Sequence, residues 1–165
     1  MKDKKSKKNL IIGCSVGAVV VVVAIVLLVV LLGGGGEKTV SCVMNQKVSS
    51  IDTESKINVK VTGGKVLGGD MTTKVDLANL SDLYKKNESK LVEKITESFQ
   101  KQCDDDCTFD QSYAEGDNLT ITMKFGETGV SSIVRTSGIE GKSAQEIADK
   151  VQQALEGSNT TCEQH

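Results

Sequence analysis

The longest apolar run in the chain extends from Leu10 to Leu32 and contains 23 residues without a charge. A helix of that length crosses the roughly 30 Å hydrocarbon core of a bilayer, so the run predicts a transmembrane helix over residues 10–32. The leader, residues 1–9, has five lysines and one aspartate, and basic residues stay on the cytoplasmic side of a membrane. We therefore expect a single-pass protein of the cell membrane with a cytoplasmic N-terminus and an extracytoplasmic C-terminal domain. A cleaved signal peptide is the alternative, although its apolar region is typically about 7–15 residues and ends in a small-residue cleavage site.

The exported domain, residues 39–165, follows a glycine-rich linker over residues 33–38. Apolar and polar residues alternate along its first part, which is the period of a half-buried strand. Gly63-Gly64 marks a tight turn between two of these runs, and Gly68-Gly69 indicates a bulge or an early break. Three strands are predicted here, over residues 39–47, 57–62 and 65–73.

The period then changes from that of a strand to that of a helix. Apolar residues from Ser81 onward recur at intervals of seven, four and four, as Tyr84, Leu91, Ile95 and Phe99. This spacing predicts an amphipathic helix with a polar outer face, and Ser81 is a suitable residue for its N-terminal cap.

Two further strands and a second helix complete the domain. The runs 109–114 and 119–125 flank a Glu-Gly-Asp-Asn turn and predict a hairpin, while Ser143 and Glu146 form a capping box at the start of a helix over residues 144–156. The order β-β-β-α-β-β-α predicts an α+β domain, an antiparallel sheet with two helices on one face.

Charge and composition exclude several classes of function. The chain carries a net −2, of which the leader accounts for +4, so the remainder carries −6. An acidic domain argues against a nucleic-acid partner, because phosphate binding requires clustered lysines and arginines. The single histidine is the terminal His165, which leaves Ser-His-Asp and Cys-His catalysis without a base. We expect no catalytic residues and no cofactor.

Four of the five cysteines lie in the predicted exported domain. Cysteines of an exported domain typically form disulfides, and four cysteines allow three connectivities. Cys103 and Cys107 are four residues apart at the end of a helix, and residues at this spacing can have the Cα–Cα distance that a disulfide requires. We favour Cys103–Cys107 together with Cys42–Cys162, and the crossed pairings remain the alternative. A zinc or redox site is less favoured because the spacing provides no paired C-x-x-C motifs.

The acidic run Asp104–Asp106 lies between two of these cysteines. Acidic residues follow the spacing of an EF-hand in part, but Phe109 occupies the place of the required glycine and a strand follows. We therefore expect a solvated acidic loop and no metal site. Asn79, Asn87, Asn118 and Asn159 each begin an N-x-[ST] triplet. These triplets are chance occurrences in a bacterial chain, or glycan acceptors in a eukaryotic secretory pathway.

The order of segments also resembles a known family. The runs SCVMNQK (41–47) and INVKVTGGKVLGGDMTTKVDL (57–77), the Lys/Glu-rich helix, the strand LTITMKF and the late capped helix resemble the YehR-like small bacterial lipoproteins. The resemblance implies a cell-surface domain without an established ligand, so no functional residue is carried over from it. This chain differs in having an apolar span where that family has a lipid-attachment cysteine, and in its Cys-Asp-Asp-Asp-Cys loop and Cys162.

Taken together, these patterns predict a membrane-anchored extracytoplasmic domain that is a non-enzymatic binding or interaction module. Its partners would be the membrane, through residues 10–32, and an unknown protein or small-molecule ligand. The predicted contact surface is the sheet face opposite the helices, with Lys60, Thr62, Thr120, Thr122 and Lys124. The alternative is a carboxylate-dependent hydrolase or cell-wall-modifying enzyme. A third possibility is a structural subunit that dimerises through Gly13 and Gly17 of the apolar run.

Overall fold

A computed structural model describes residues 36–48, 51–62, 65–103, 106–127, 146 and 158–165 of the 165-residue chain. Within these ranges lie six strands and two helices. The strands are β1 (Glu37–Val48), β2 (Ile51–Thr62), β3 (Lys65–Asp76), β4 (Cys107–Tyr113), β5 (Asn118–Gly126) and β6 (Ser158–Gln164). The helices are α1 (Asp82–Lys85) and α2 (Glu88–Gln100).

All six strands form one antiparallel sheet with the spatial order β4-β5-β3-β2-β1-β6. Successive side chains of a strand point to opposite faces, and the pairing register aligns the apolar positions of neighbouring strands. Ile57 of β2 lies opposite Cys42 of β1 and Met71 of β3, and Met71 lies opposite Met123 of β5. One face of the sheet is therefore apolar and buried.

The helices cover this buried face. Leu91, Val92 and Phe99 of α2 belong to the same buried cluster as the apolar residues of β2, β3 and β5. Leu77 and Leu80, in the connection from β3 to α1, complete the cluster. Because each fully buried aliphatic or aromatic side chain contributes about 1.5–3 kcal/mol, this layer is the main source of stability among the described residues.

The expectation of an α+β fold with the order β-β-β-α-β-β-α is wrong, since the structure is mostly β, with six strands and two short helices. The first three strands each extend over 12 residues. β2 begins six residues before the predicted start because Ser55, although polar, is buried in register with Thr73 of β3. The C-terminal residues add β6, which pairs with β1 around the Cys42–Cys162 contact.

The predicted helices also differ from those observed. The segment that begins near Ser81 divides at Lys86 and Asn87 into α1 and α2, and Ser81 precedes α1 without a capping hydrogen bond from its side chain. The predicted helix over residues 144–156 lies outside the described residues except for Glu146. Among the residues that the structure describes, no helix is both long enough and apolar enough to cross a membrane. The predicted span, residues 10–32, lies outside them, as do the leader and the Gly13-x-x-x-Gly17 motif.

Two disulfides join the cysteines in the pairs that the sequence favours. Cys42 and Cys162 lie directly opposite each other in β1 and β6, with Cα atoms 4.1 Å apart. Cys103 and Cys107 close the connection from α2 to β4, with Cα atoms 5.1 Å apart. In the chain-entropy model, a closed loop with a sequence separation of 120 contributes about 5 kcal/mol, and the short loop contributes about 2 kcal/mol. The Cys42–Cys162 disulfide, which joins β6 covalently to β1, therefore contributes more to stability than Cys103–Cys107.

Candidate functional site

The face of the sheet opposite the helices, here called the open face, is mainly polar, although Val43 of β1 also lies on it. The pairing register places the predicted contact residues on this face because each alternates with a buried residue of its strand. They are Lys60, Thr62, Thr120, Thr122 and Lys124. Both lysines are exposed and the three threonines are half-buried. The register therefore confirms that these five residues lie on the face opposite the helices, and that they form a contact surface stays a prediction.

Two depressions lie at one end of the open face, beside the end of β1 and the start of β2. The larger has a volume of about 640 Å³ and the smaller about 340 Å³. Lys74 and Asn118 line both depressions, so we describe them together as the trough. The larger depression is lined by Asn45, Gln46, Lys47, Asp52, Thr53, Glu54, Lys74, Asp76, Asn118 and Asn159, and the smaller by Lys74, Ser112, Tyr113, Ala114, Asp117, Asn118 and Thr120.

Two carboxylates of the trough are held by lysines on their own hairpin. Oδ2 of Asp52 lies 3.3 Å from Nζ of Lys47, and Oε1 of Glu54 lies 3.5 Å from Nζ of Lys56. All four side chains are well exposed, and exposed pairs of this kind contribute little to stability. Each pair leaves the second oxygen of its carboxylate without an ion-pair partner among the described residues.

The other two carboxylates of the trough accept hydrogen bonds from their own turns. Asp76 accepts from the backbone N–H of Ala78 at 2.9 Å and from Nδ2 of Asn79 at 3.0 Å. Asp117 accepts from Nδ2 of Asn118 at 3.0 Å. These short-range bonds are typical of Asp and Asn at turns, so each of the four carboxylates has a partner.

Lys74 is the exception among the charged groups of the trough. It lies directly opposite Glu54 on one side and Thr120 on the other, and its side chain is exposed. Glu54 is paired with Lys56 instead. Within the described part of the chain, the ammonium group of Lys74 has no ion pair or hydrogen bond. Its ammonium group is therefore available to a ligand.

The wall of the smaller depression is fixed by a buried carboxylate at the start of α2. Glu88 is only 8% exposed, and its Oε1 accepts hydrogen bonds from the hydroxyl of Tyr113 and the backbone N–H of Gly116, both at 2.9 Å. Gly116 has φ of 72°, a left-handed conformation that glycine adopts without strain. Glu88 thereby ties the β4–β5 turn to the helix layer.

The environment of Tyr113 keeps its hydroxyl group in the donor state. Burial, the hydrogen bond to Glu88, and the negative charges of Glu88 and Glu115 raise the pKa of Tyr113 above its ordinary value. A protonated hydroxyl can continue to donate to Glu88, so this hydrogen bond persists to a higher pH than it would with a tyrosine of ordinary pKa.

The remaining candidate residues lie away from the trough or outside the described part of the chain. His165 lies 3.5 Å from Glu163, and it pairs with Thr39 at the opposite end of β1. Asp104 and Asp105 of the predicted acidic loop lie outside the described residues. No group of three or more metal-ligating side chains occurs among the residues that the structure describes.

Sequence reasoning missed the central residue of the trough. The alternation of β3 places Lys74 on the open face, since Thr73 and Val75 are buried. Its position beside Glu54 depends on the register of three strands, however, which a single sequence does not determine. The available signal is the cluster of asparagines near predicted turns, since the sequence alone identifies Asn118 and Asn159 only as chance triplets or glycan acceptors.

Comparisons with known proteins show a weak similarity of fold. No family model and no curated protein matches the chain. It is similar to an NMR structure of a protein from Streptococcus pneumoniae TIGR4, with 10% identity, a TM-score of 0.37, and coverage of 75% of this chain and 85% of that one. It is also similar to the NMR structure of the Escherichia coli YehR protein, with 19% identity, a TM-score of 0.45, and coverage of 78% and 93%.

Proposed function

We propose that this protein is an extracytoplasmic, non-enzymatic binding module that takes a small polar ligand in the trough. The observation that carries the proposal is the position of Lys74, a charged group without a partner among the described residues, where the two depressions meet. Ligand sites are typically concave and present a few polar groups in a fixed arrangement. The carboxylates and asparagine side chains around Lys74 supply such an arrangement.

The disulfides support a location outside the cytoplasm. Structural disulfides persist in oxidising compartments and are rare in the cytosol, and this domain holds two. That residues 10–32 attach the domain to a membrane stays a prediction.

The chemistry of the trough favours binding over hydrolysis. A carboxylate-dependent hydrolase needs two carboxyl groups that flank the scissile bond, one of which donates a proton. Each carboxylate of the trough is instead engaged by a lysine or by a turn. The hydrolase remains the alternative, and its test would be turnover of a substrate found to bind here.

The proposal is tested with two matched tryptophan substitutions on β5. Thr120 lines the smaller depression, whereas Thr122 lies two residues further along the same strand and face, outside the trough. Amide NMR spectra of the full-length chain in detergent micelles would be recorded against amino acids, short peptides, oligosaccharides, nucleotides and inorganic phosphate. We expect at least one compound to shift the signals of Lys74 and Asn118, with affinity lost in T120W and unchanged within twofold in T122W.

Two outcomes would contradict the proposal. In the first, none of these compounds shifts the trough signals at millimolar concentration. In the second, T120W and T122W have the same effect on binding, which would place the ligand elsewhere on the open face. The disulfide-bonded state of both variants is checked first, by peptide mapping without reductant, so that misfolding is not read as loss of binding.

A further inference from the structure

The distribution of charge in the trough indicates which ligand it takes. Its lining contains four carboxylates, on Asp52, Glu54, Asp76 and Asp117, against two lysines, Lys47 and Lys74, and a third lysine, Lys56, pairs with Glu54 from outside the lining. A ligand with only negative charge would be repelled by this acidic excess, and one with only positive charge would meet the ammonium group of Lys74. A ligand that carries one charge of each sign satisfies both parts of the trough.

The free atoms of the trough are arranged to separate those two charges. Lys74 lies where the depressions meet, and Asp52 and Glu54 lie in the larger depression. Among the described residues, Oδ1 of Asp52 and Oε2 of Glu54 have no ion-pair partner, because Lys47 and Lys56 contact the other oxygens. The trough thus offers one cationic contact and two carboxylate oxygens side by side.

The spacing from Lys74 to the farther of these two carboxylates, Asp52, exceeds the separation of the two charges within a free amino acid. Residues directly opposite on neighbouring strands have Cβ atoms about 4.5–5.5 Å apart, and diagonal neighbours are about 7–8 Å apart. Glu54 is the direct neighbour of Lys74 and Asp52 the diagonal one. The two charges of a free amino acid are attached to one carbon atom, whereas two or three residues extend over about 7–10 Å.

Neutral groups along the trough complement a peptide backbone. The side chains of Asn45, Asn118 and Asn159 line the larger depression, and each amide both donates and accepts hydrogen bonds. A peptide unit presents the same pair of functions, an N–H and a C=O group. Sugars are also bound by such amides, but an uncharged sugar would leave Lys74 without a partner.

We propose that the trough binds a short zwitterionic peptide, with its terminal carboxylate on Lys74 and its terminal ammonium on Asp52 and Glu54. This inference rests on the proposed function, since it names the ligand class of the same site. No bond is made or broken in the complex.

The test combines blocked probes with variants of the full-length chain in detergent micelles. The probes are triglycine, triglycinamide, which lacks the terminal carboxylate, and N-acetyltriglycine, which lacks the ammonium. The variants are K74Q, E54Q and a matched control, K124Q. Lys124 is an exposed lysine of the open face that does not line the trough, and the proposed function confines binding to the trough rather than to the whole face that the sequence predicts. Affinities would be measured by NMR titration of the amides near residue 74.

We expect K74Q to weaken triglycine binding at least tenfold and K124Q to leave it within twofold. Triglycinamide should bind wild type and K74Q equally weakly, because the two changes remove the same contact and are therefore not additive. N-acetyltriglycine should bind wild type weakly too, and E54Q should reduce that residual affinity little.

Other results would overturn the inference in distinguishable ways. If triglycine fails to bind but a neutral oligosaccharide such as tri-N-acetylchitotriose shifts the same amides and T120W abolishes that shift, the zwitterion assignment is wrong and the binding function stands. Equal effects of K74Q and K124Q, or additive effects of K74Q and amidation, would also exclude a carboxylate contact at Lys74. If no compound shifts the trough, both proposals fail.

Discussion

The two faces of the sheet are built from the same strands and behave as opposites. On β5, Leu119 and Ile121 are completely buried, while Thr120 and Thr122 between and beside them lie on the open face. Burial of the first set stabilises the fold by removing apolar surface from water. The second set contributes little to stability, so its composition can serve a ligand. Stability and binding can therefore be tested separately on neighbouring residues.

The largest contrast is expected between adjacent positions of β5. Ile121→Ala removes a side chain with no exposed surface, which typically lowers the free energy of unfolding by about 2–5 kcal/mol. Thr122→Ala, one residue further along and half-buried, should change it by no more than about 1 kcal/mol, the span of strand propensities. Urea unfolding of both variants, with the disulfides intact, measures the difference. Similar losses would show that the open face is covered and contributes to the core.

A smaller effect is expected where the helix layer holds the wall of the trough. Glu88→Ala removes the acceptor for Tyr113 and Gly116, and hydrogen bonds to charged groups contribute about 1.5–3 kcal/mol. Glu93→Ala is the matched control, since Glu93 is an exposed glutamate of the same helix. It should change the free energy of unfolding by no more than about 0.5 kcal/mol.

The same contact predicts a dependence on alkaline pH. Folding raises the pKa of Tyr113, so its protonated hydroxyl stabilises the folded state below the unfolded-state pKa of about 10. That contribution is lost as the pH rises through the higher folded-state value. The difference in stability between wild type and Tyr113→Phe should therefore be constant near neutral pH and should shrink above about pH 10. A difference that grows at high pH would contradict the assigned hydrogen bond.

The sequence predicts strands with a regular apolar face more completely than it predicts polar strand segments. The alternation of Leu119, Ile121 and Met123 with polar residues predicted both the strand and its open-face residues. Strand content is underestimated, because a polar segment such as Ile51–Lys56 has no strand-like apolar period and becomes part of β2 only through pairing with its neighbours. β6 is polar throughout and pairs through tertiary contacts around Cys162.

The site was harder to predict than the fold because it depends on register. Lys74 is one of 19 lysines in the chain. Neither the composition of the chain nor the spacing of its lysines distinguishes Lys74 from the others. Its role arises because Glu54 opposite it pairs with Lys56 along the same strand. Which partner a glutamate selects depends on side-chain geometry, and a periodic pattern contains no information about that choice.

The last test measures the coupling between the two hydroxyl groups that the described residues pair on the buried face. Ser55 and Thr73 are 2% and 1% exposed, and their hydroxyl oxygens lie 3.0 Å apart in paired positions of β2 and β3. Ser55→Ala or Thr73→Val alone leaves a buried hydroxyl without its partner, which should cost about 1–3 kcal/mol. The double variant removes both hydroxyls and should cost less than the sum of the two single variants, because apolar replacement of both partners is close to neutral. Urea unfolding of all four proteins gives the coupling free energy. A coupling near zero would show that each hydroxyl is satisfied independently, and that the buried face tolerates polar groups more readily than the contrast between the two faces implies.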